Sequence, residues 1–129
     1  MENTSAPQRT QDLEAAAPNA GTARFGARPE AEVRRAQAEL EAAAARPQRQ
    51  TALTRGALAG YAWATGQASA APVTGAAGNG PPDLAELTAE VDASVVQLDQ
   101  QAQRSAPRDY VRGVHDALSW VCAHTDEQP

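Results

Sequence analysis

The sequence predicts an all-α fold: two tandem helical hairpins packed as a small four-helix bundle, preceded by a disordered leader. Three observations predict it. Apolar residues recur at steps of three and four in four separate stretches. Prolines close or open those stretches. A signature of arginine, glycine and tryptophan appears twice with the same internal spacing.

Residues 1–28 form the leader by composition. They are rich in Ala, Pro, Gln, Thr and Asn, with almost no large apolar side chain. A short helix over Gln11–Ala17 is the one element expected there, and Phe25 is the residue able to anchor the segment to the body. Residues 29–66 make the first hairpin. Its first helix starts at Glu30 with Val33, Ala36, Leu40 and Ala43 as the apolar stripe, and Arg46-Pro47 ends it. Its second helix runs from Thr51 to about Thr65, with Leu53, Ala57, Tyr61 and Ala64 on one face and Gly66 as C-cap.

Residues 67–82 read as an Ala/Gly/Pro linker. Residues 83–125 make the second hairpin. Asp83 caps its long helix, and Glu86 completes a capping box. Leu84, Leu87, Val91, Val95, Leu98 and Ala102 are expected on one buried face, with the helix ending near Ser105. A last helix from Pro107 or Arg108 carries Val111, Val114, Leu118 and Val121, and residues 126–129 are a tail.

The two hairpins read as copies. Ala31-Glu32-Val33, Leu40 and Arg46 match Ala89-Glu90-Val91, Leu98 and Arg104 at an offset of 58 residues. Arg55-Gly56 and Trp63 match Arg112-Gly113 and Trp120 at 57. Each hairpin exposes an apolar stripe that it cannot bury alone, so the two should pack together. Glycine early in a helix admits a neighbouring backbone, and a tryptophan is expected to fill the gap it leaves on the partner helix.

The core should be thin. Of 129 residues, 31 are Ala, while Leu, Val and the single Phe make up 17, about 13%. That is below the roughly 20% at which disorder becomes a serious prior. Ala favours helix but gains little on burial. Self-association or a stabilising partner is the usual remedy in a small chain.

No pattern identifies a reaction, a cofactor or a metal, and the chain is not read as an enzyme. His115 and Cys122 lie seven apart on one helical face with His124 nearby, but a structural zinc site needs four ligands and there is one cysteine. A Cys-His nucleophile pair would sit at a fraying C-terminus. Gly75, Gly78 and Gly80 lack the lysine and strand of a phosphate loop. The unpaired cysteine, and the absence of a signal-peptide pattern or long apolar run, lead to the expectation of a cytoplasmic, non-membrane protein. Eleven Arg without a Lys, beside so much Ala, suggest a GC-rich bacterial genome.

The expected function is a protein–protein interaction or adaptor module that self-associates or is stabilised by a protein partner. Trp63, Trp120, Arg55 and Arg112 are its candidate contact residues, and the long helix of the second hairpin is the candidate surface. The alternative is a DNA-associated regulator using the arginine-rich first hairpin, through Arg34, Arg35, Arg46 and Arg49. A pI near 4.9 weighs against a free nucleic-acid binder. The charge is uneven: residues 28–55 carry +2, and residues 83–127 carry −6.

Overall fold

The structure, a computed structural model, describes residues 23–100 and 107–129. Among these, the chain forms a two-residue strand β1 (Arg24–Phe25), a second β2 (Arg28–Pro29), and helices α1 (Glu30–Ala44), α2 (Ala52–Ala64), α3 (Leu84–Asp99) and α4 (Arg108–Val121). A 3-10 turn, Pro47–Arg49, joins α1 to α2. The four helices predicted for the two hairpins are present. The expected helix over Gln11–Ala17, together with Ala102, Arg104 and Ser105, lies outside the described residues.

Local chemistry explains most helix ends. Thr51 caps α2 by accepting from the Thr54 N–H at 3.2 Å. Asp83 and Glu86 form the expected reciprocal capping box on α3, at 2.8 and 2.9 Å. At the end of α2, Gly66 (φ +85°) turns the chain. The Gly66 N–H donates to Trp63 O and the Gln67 N–H to Ala62 O, a Schellman motif. The end of α4 repeats this bond for bond. Ala123 donates to Trp120 O and His124 to Ser119 O, with Ala123 held at φ +60°. Ala123 stands 57 positions after Gly66. The end of α3 falls at Asp99 rather than near Ser105. There the Arg108 guanidinium donates to the Leu98 carbonyl in the last turn of the helix.

The α2–α4 pair is the largest interface, followed by α3–α4 and then α1–α2. Glycine explains its closeness. A Cβ at Gly56 would lie 1.9 Å from the Tyr110 carbonyl oxygen, and one at Gly113 would lie 2.0 Å from the Leu53 carbonyl oxygen. The two contacts are reciprocal, because each glycine meets the residue three before the other. One turn on, Gly60 faces the Ala117 Cβ, its own counterpart at an offset of 57. From Ala57 against Gly113 to Gly60 against Ala117 the contacts advance together along both helices, so α2 and α4 run side by side in the same direction.

The tryptophans do something other than expected. The gaps left by the glycines are taken up by opposing backbone, so no ring fills them. Trp120 instead meets Tyr61 edge to face, centroids 6.2 Å apart, and Trp63 lies under the 67–82 segment. Both are buried, at 1% and 6% exposure. Around them the core gathers Val33, Leu40, Leu87, Val114, Leu118 and Val121. Five of its members are alanines, Ala36, Ala57, Ala64, Ala71 and Ala117, each contributing a single methyl.

Two segments that composition assigns to leader and linker belong to the folded body. Residues 24–29 form a tight β-turn whose Phe25 is buried, and the Ala27 N–H donates to Val121 O at 3.0 Å. Arg28 then lies 4.4 Å over the Trp120 ring and donates to the Trp120 and Thr125 carbonyls. One side chain thus ties the entry of the first hairpin to the exit of the second. The 67–82 segment folds back on itself through an Ala70–Ala77 bridge and buries Ala71 and Pro82. The Glu90 carboxylate on α3 accepts from the Val73 N–H, the Thr74 N–H and the Thr74 hydroxyl. Composition could not reveal this, because the acceptor comes from another element.

Among the described residues no helix is long and apolar enough to cross a membrane.

Candidate functional site

The expected stripe on α3 is only half buried. Leu87, Glu90, Val91 and Ser94 face the core, whereas Leu84 and Val95 are 47% and 43% exposed. The expectation chose the most apolar positions, but the helix is rotated so that Glu90 can reach the 73–74 loop and Ser94 can pack inward. The rotation leaves an outer stripe at i, i+3, i+4 and i+7: Asp92, Val95, Val96 and Asp99. Val96 is 50% exposed. Two valines bracketed by two carboxylates therefore face away from the body. Neither aspartate has an ion-pair partner among the described residues. A sequence signal was present and missed: adjacent Val95 and Val96 sit about 100° apart on a helix, so both cannot join one narrow buried stripe.

Charge is sharply divided along the chain. From Gly56 to Gln103 there is no Lys, Arg or His, so α3 carries carboxylates alone. From Ala42 to Pro82 there is no Asp or Glu. That second run includes the α1–α2 turn, where Arg46, Arg49 and Arg55 are exposed beside Leu53, itself 38% exposed. These three arginines also lack an ion-pair partner among the described residues.

The remaining predicted residues scatter. Arg112 is exposed and pairs with Asp116 at 3.4 Å. Arg34 pairs weakly with Glu30 at 3.9 Å and lies 5.0 Å from the Phe25 ring centroid, while Arg35 is exposed on the same helix. Trp63 and Trp120 are buried, so neither ring is presented as a surface anchor.

Two cavities border this framework. One, about 170 Å³, is walled by Trp63, Ala71, Pro82 and Glu90. The other, about 400 Å³, lies between α4 and the C-terminal residues and is lined by Arg112, His115, Ser119 and His124. There Ser119 Oγ is 3.4 Å from His115 Nε2, and His115 Nδ1 is 3.1 Å from Asp116 Oδ1. The order resembles a nucleophile, base and carboxylate. The Ser–His separation is long for an activated nucleophile. Ser119 also sits within a helix whose N–H groups are committed to backbone bonds, so they do not form an oxyanion hole beside it. Cys122 is buried, and burial pushes its thiol pKa up, partly offset by a hydrogen bond with Thr88. That favours the unreactive thiol. Among the described residues, no three His, Cys, Asp or Glu side chains come together as a metal site.

No protein-family model, no curated protein and no solved structure matches the chain.

Proposed function

We propose that this chain is a protein-interaction module whose contact surface is the outer face of α3. One observation carries the reading: Val95 and Val96 lie exposed on an otherwise folded helix, framed by Asp92 and Asp99, which have no ion-pair partner among the described residues. A purely solvated face would favour charged or polar side chains at both valine positions, whereas an apolar centre with a charged rim is the usual composition of a contact patch. A core rich in alanine methyls supports a need for such a partner.

We also read the two hairpins as copies of one unit packed as a bundle. The reciprocal glycine contacts and the matching Schellman caps at Gly66 and Ala123 support that. The unlike outer surfaces of the copies are then where function resides.

The contact reading is tested with a photo-crosslinking residue placed at position 96 in the cells that make the protein, with position 31, exposed at the start of α1 and at the opposite end of that helix from the α1–α2 turn, as control. A discrete adduct at 96 and none at 31 supports the reading. Equal labelling at both positions, or at neither, overturns it.

A second reading, a DNA-associated regulator, draws on Arg46 and Arg49, which are exposed and unpaired among the described residues. Arg35 is exposed with them, while Arg34 is partly occupied by Glu30 and Phe25. Duplex binding at low salt that weakens steeply as salt is added would favour this reading.

A further inference from the structure

We infer that the partner of the α3 face is the α1–α2 turn of a second copy of this chain. The inference rests on the reading of α3 as a contact surface and adds the identity of what covers it.

Complementarity within the chain carries the argument. The α3 face has two exposed valines between two carboxylates that are unpaired among the described residues, on a helix with no cation. Two such faces cannot pair with each other without setting carboxylate against carboxylate, since Asp92 and Asp99 flank the valines on both sides. A fitting partner is cationic with an apolar centre. The chain carries such a surface itself, at the α1–α2 turn. Arg46, Arg49 and Leu53 are exposed there, in a run of 41 residues that contains no acid. Leu53 would lie against Val95 and Val96, and the arginines would meet Asp92 and Asp99. Both surfaces are left open by the same fold, which ties up Arg28, Arg108 and Arg112 in contacts of their own. Repeated head to tail, such a contact is heterologous and closes into a ring or extends; made twice across a two-fold axis, with each turn reaching the other copy's α3, it gives an isologous pair.

The experiment is sedimentation velocity on the full chain at about 100 µM, at low and at high salt, where screening reaches exposed charges. The wild-type chain should associate at low salt and weaken as salt rises. Asp92→Arg with Asp99→Arg should weaken association by at least ~10-fold, and Arg46→Glu with Arg49→Glu should do the same. Mixing these two double variants should restore a complex, because each retains the surface that the other lacks. The restored complex also shows that both variants fold. A wild-type chain that stays monomeric under all these conditions overturns the inference, as does association indifferent to both reversals or a mixture that remains monomeric. A crosslinked adduct at position 96 that contains a different protein, and never this chain, also overturns it while leaving α3 as the contact face.

Discussion

Replacing Gly56 or Gly113 by alanine should damage the fold more than any other conservative change of one methyl. An ordinary Cβ contact is 3.4 Å or longer, whereas Cβ atoms at these positions would lie 1.9 and 2.0 Å from carbonyl oxygens of the opposite helix. Each substitution therefore requires α2 and α4 to separate locally by about 1.5 Å, and a helical backbone, unlike a side-chain tip, cannot swing aside. Overpacking of this kind costs about 1–3 kcal/mol or more. Alanine returns about 1 kcal/mol in helix propensity. We expect a net loss of about 2 kcal/mol for each single variant, at the upper end of that overpacking range. Because one separation relieves both clashes, the double variant should cost less than the sum of the singles, by about 1 kcal/mol. Urea unfolding followed by tryptophan fluorescence measures this, with Trp120 buried against Tyr61 as the reporter. Gly78→Ala, which meets nothing within 4 Å, is the control. A Gly56→Ala variant as stable as the wild-type chain would refute the packing argument. Strict additivity of the pair would refute the reciprocal geometry.

The remaining predictions use the caps, the loop and the buried ionisable groups. Ala123→Gly should stabilise the chain by roughly 0.5–1 kcal/mol, because Ala123 is exposed and held at positive φ, where alanine is strained. Gly66→Ala should destabilise it, since the strain appears there and the new Cβ would meet the Pro81 ring at 3.0 Å; midpoints of thermal unfolding decide both signs. Glu90→Gln should cost about 1–3 kcal/mol, because the Val73 and Thr74 N–H groups then meet a neutral amide oxygen in place of a carboxylate and the Thr74 hydroxyl must reverse its role. It should also raise hydrogen exchange at Val73 and Thr74, and unchanged exchange would count against the staple. Tyr61 and Cys122 both have raised pKa values, chiefly from burial, with Arg28 and Thr88 respectively working the other way. The stability that each lends is therefore complete below its unfolded pKa, 10.0 for Tyr61 and 9.0 for Cys122, and is lost as pH rises beyond it. Stability should begin to fall above pH 9, where the unfolded thiol ionises while Cys122 holds its proton, and continue to fall above pH 10, where the unfolded tyrosine ionises while Tyr61 stays neutral. A urea midpoint constant from pH 8 to 11 would contradict both assignments.

Sequence periodicity determined the helices themselves, together with several of their ends. Thr51, the Asp83–Glu86 box and Gly66 act within a few residues of one another, and short-range chemistry of that kind is written in adjacent letters. The glycines as points of close approach were also legible, because a glycine inside a helix costs stability unless something needs the space. Tertiary structure alone decided which face of α3 turns inward. Glu90 is charged, yet it is buried because the distant Val73 and Thr74 supply its donors, and that rotation pushes Val95 and Val96 outward. It likewise decided that Trp120 stacks under Arg28, 92 residues away, and that the segments around Phe25 and Ala71 join the core. The pattern of α3 shows that Val95 and Val96 cannot both join one narrow buried stripe, but not that both face outward. A buried charge is tolerable only when its partners are in place, and those partners are brought there by the fold.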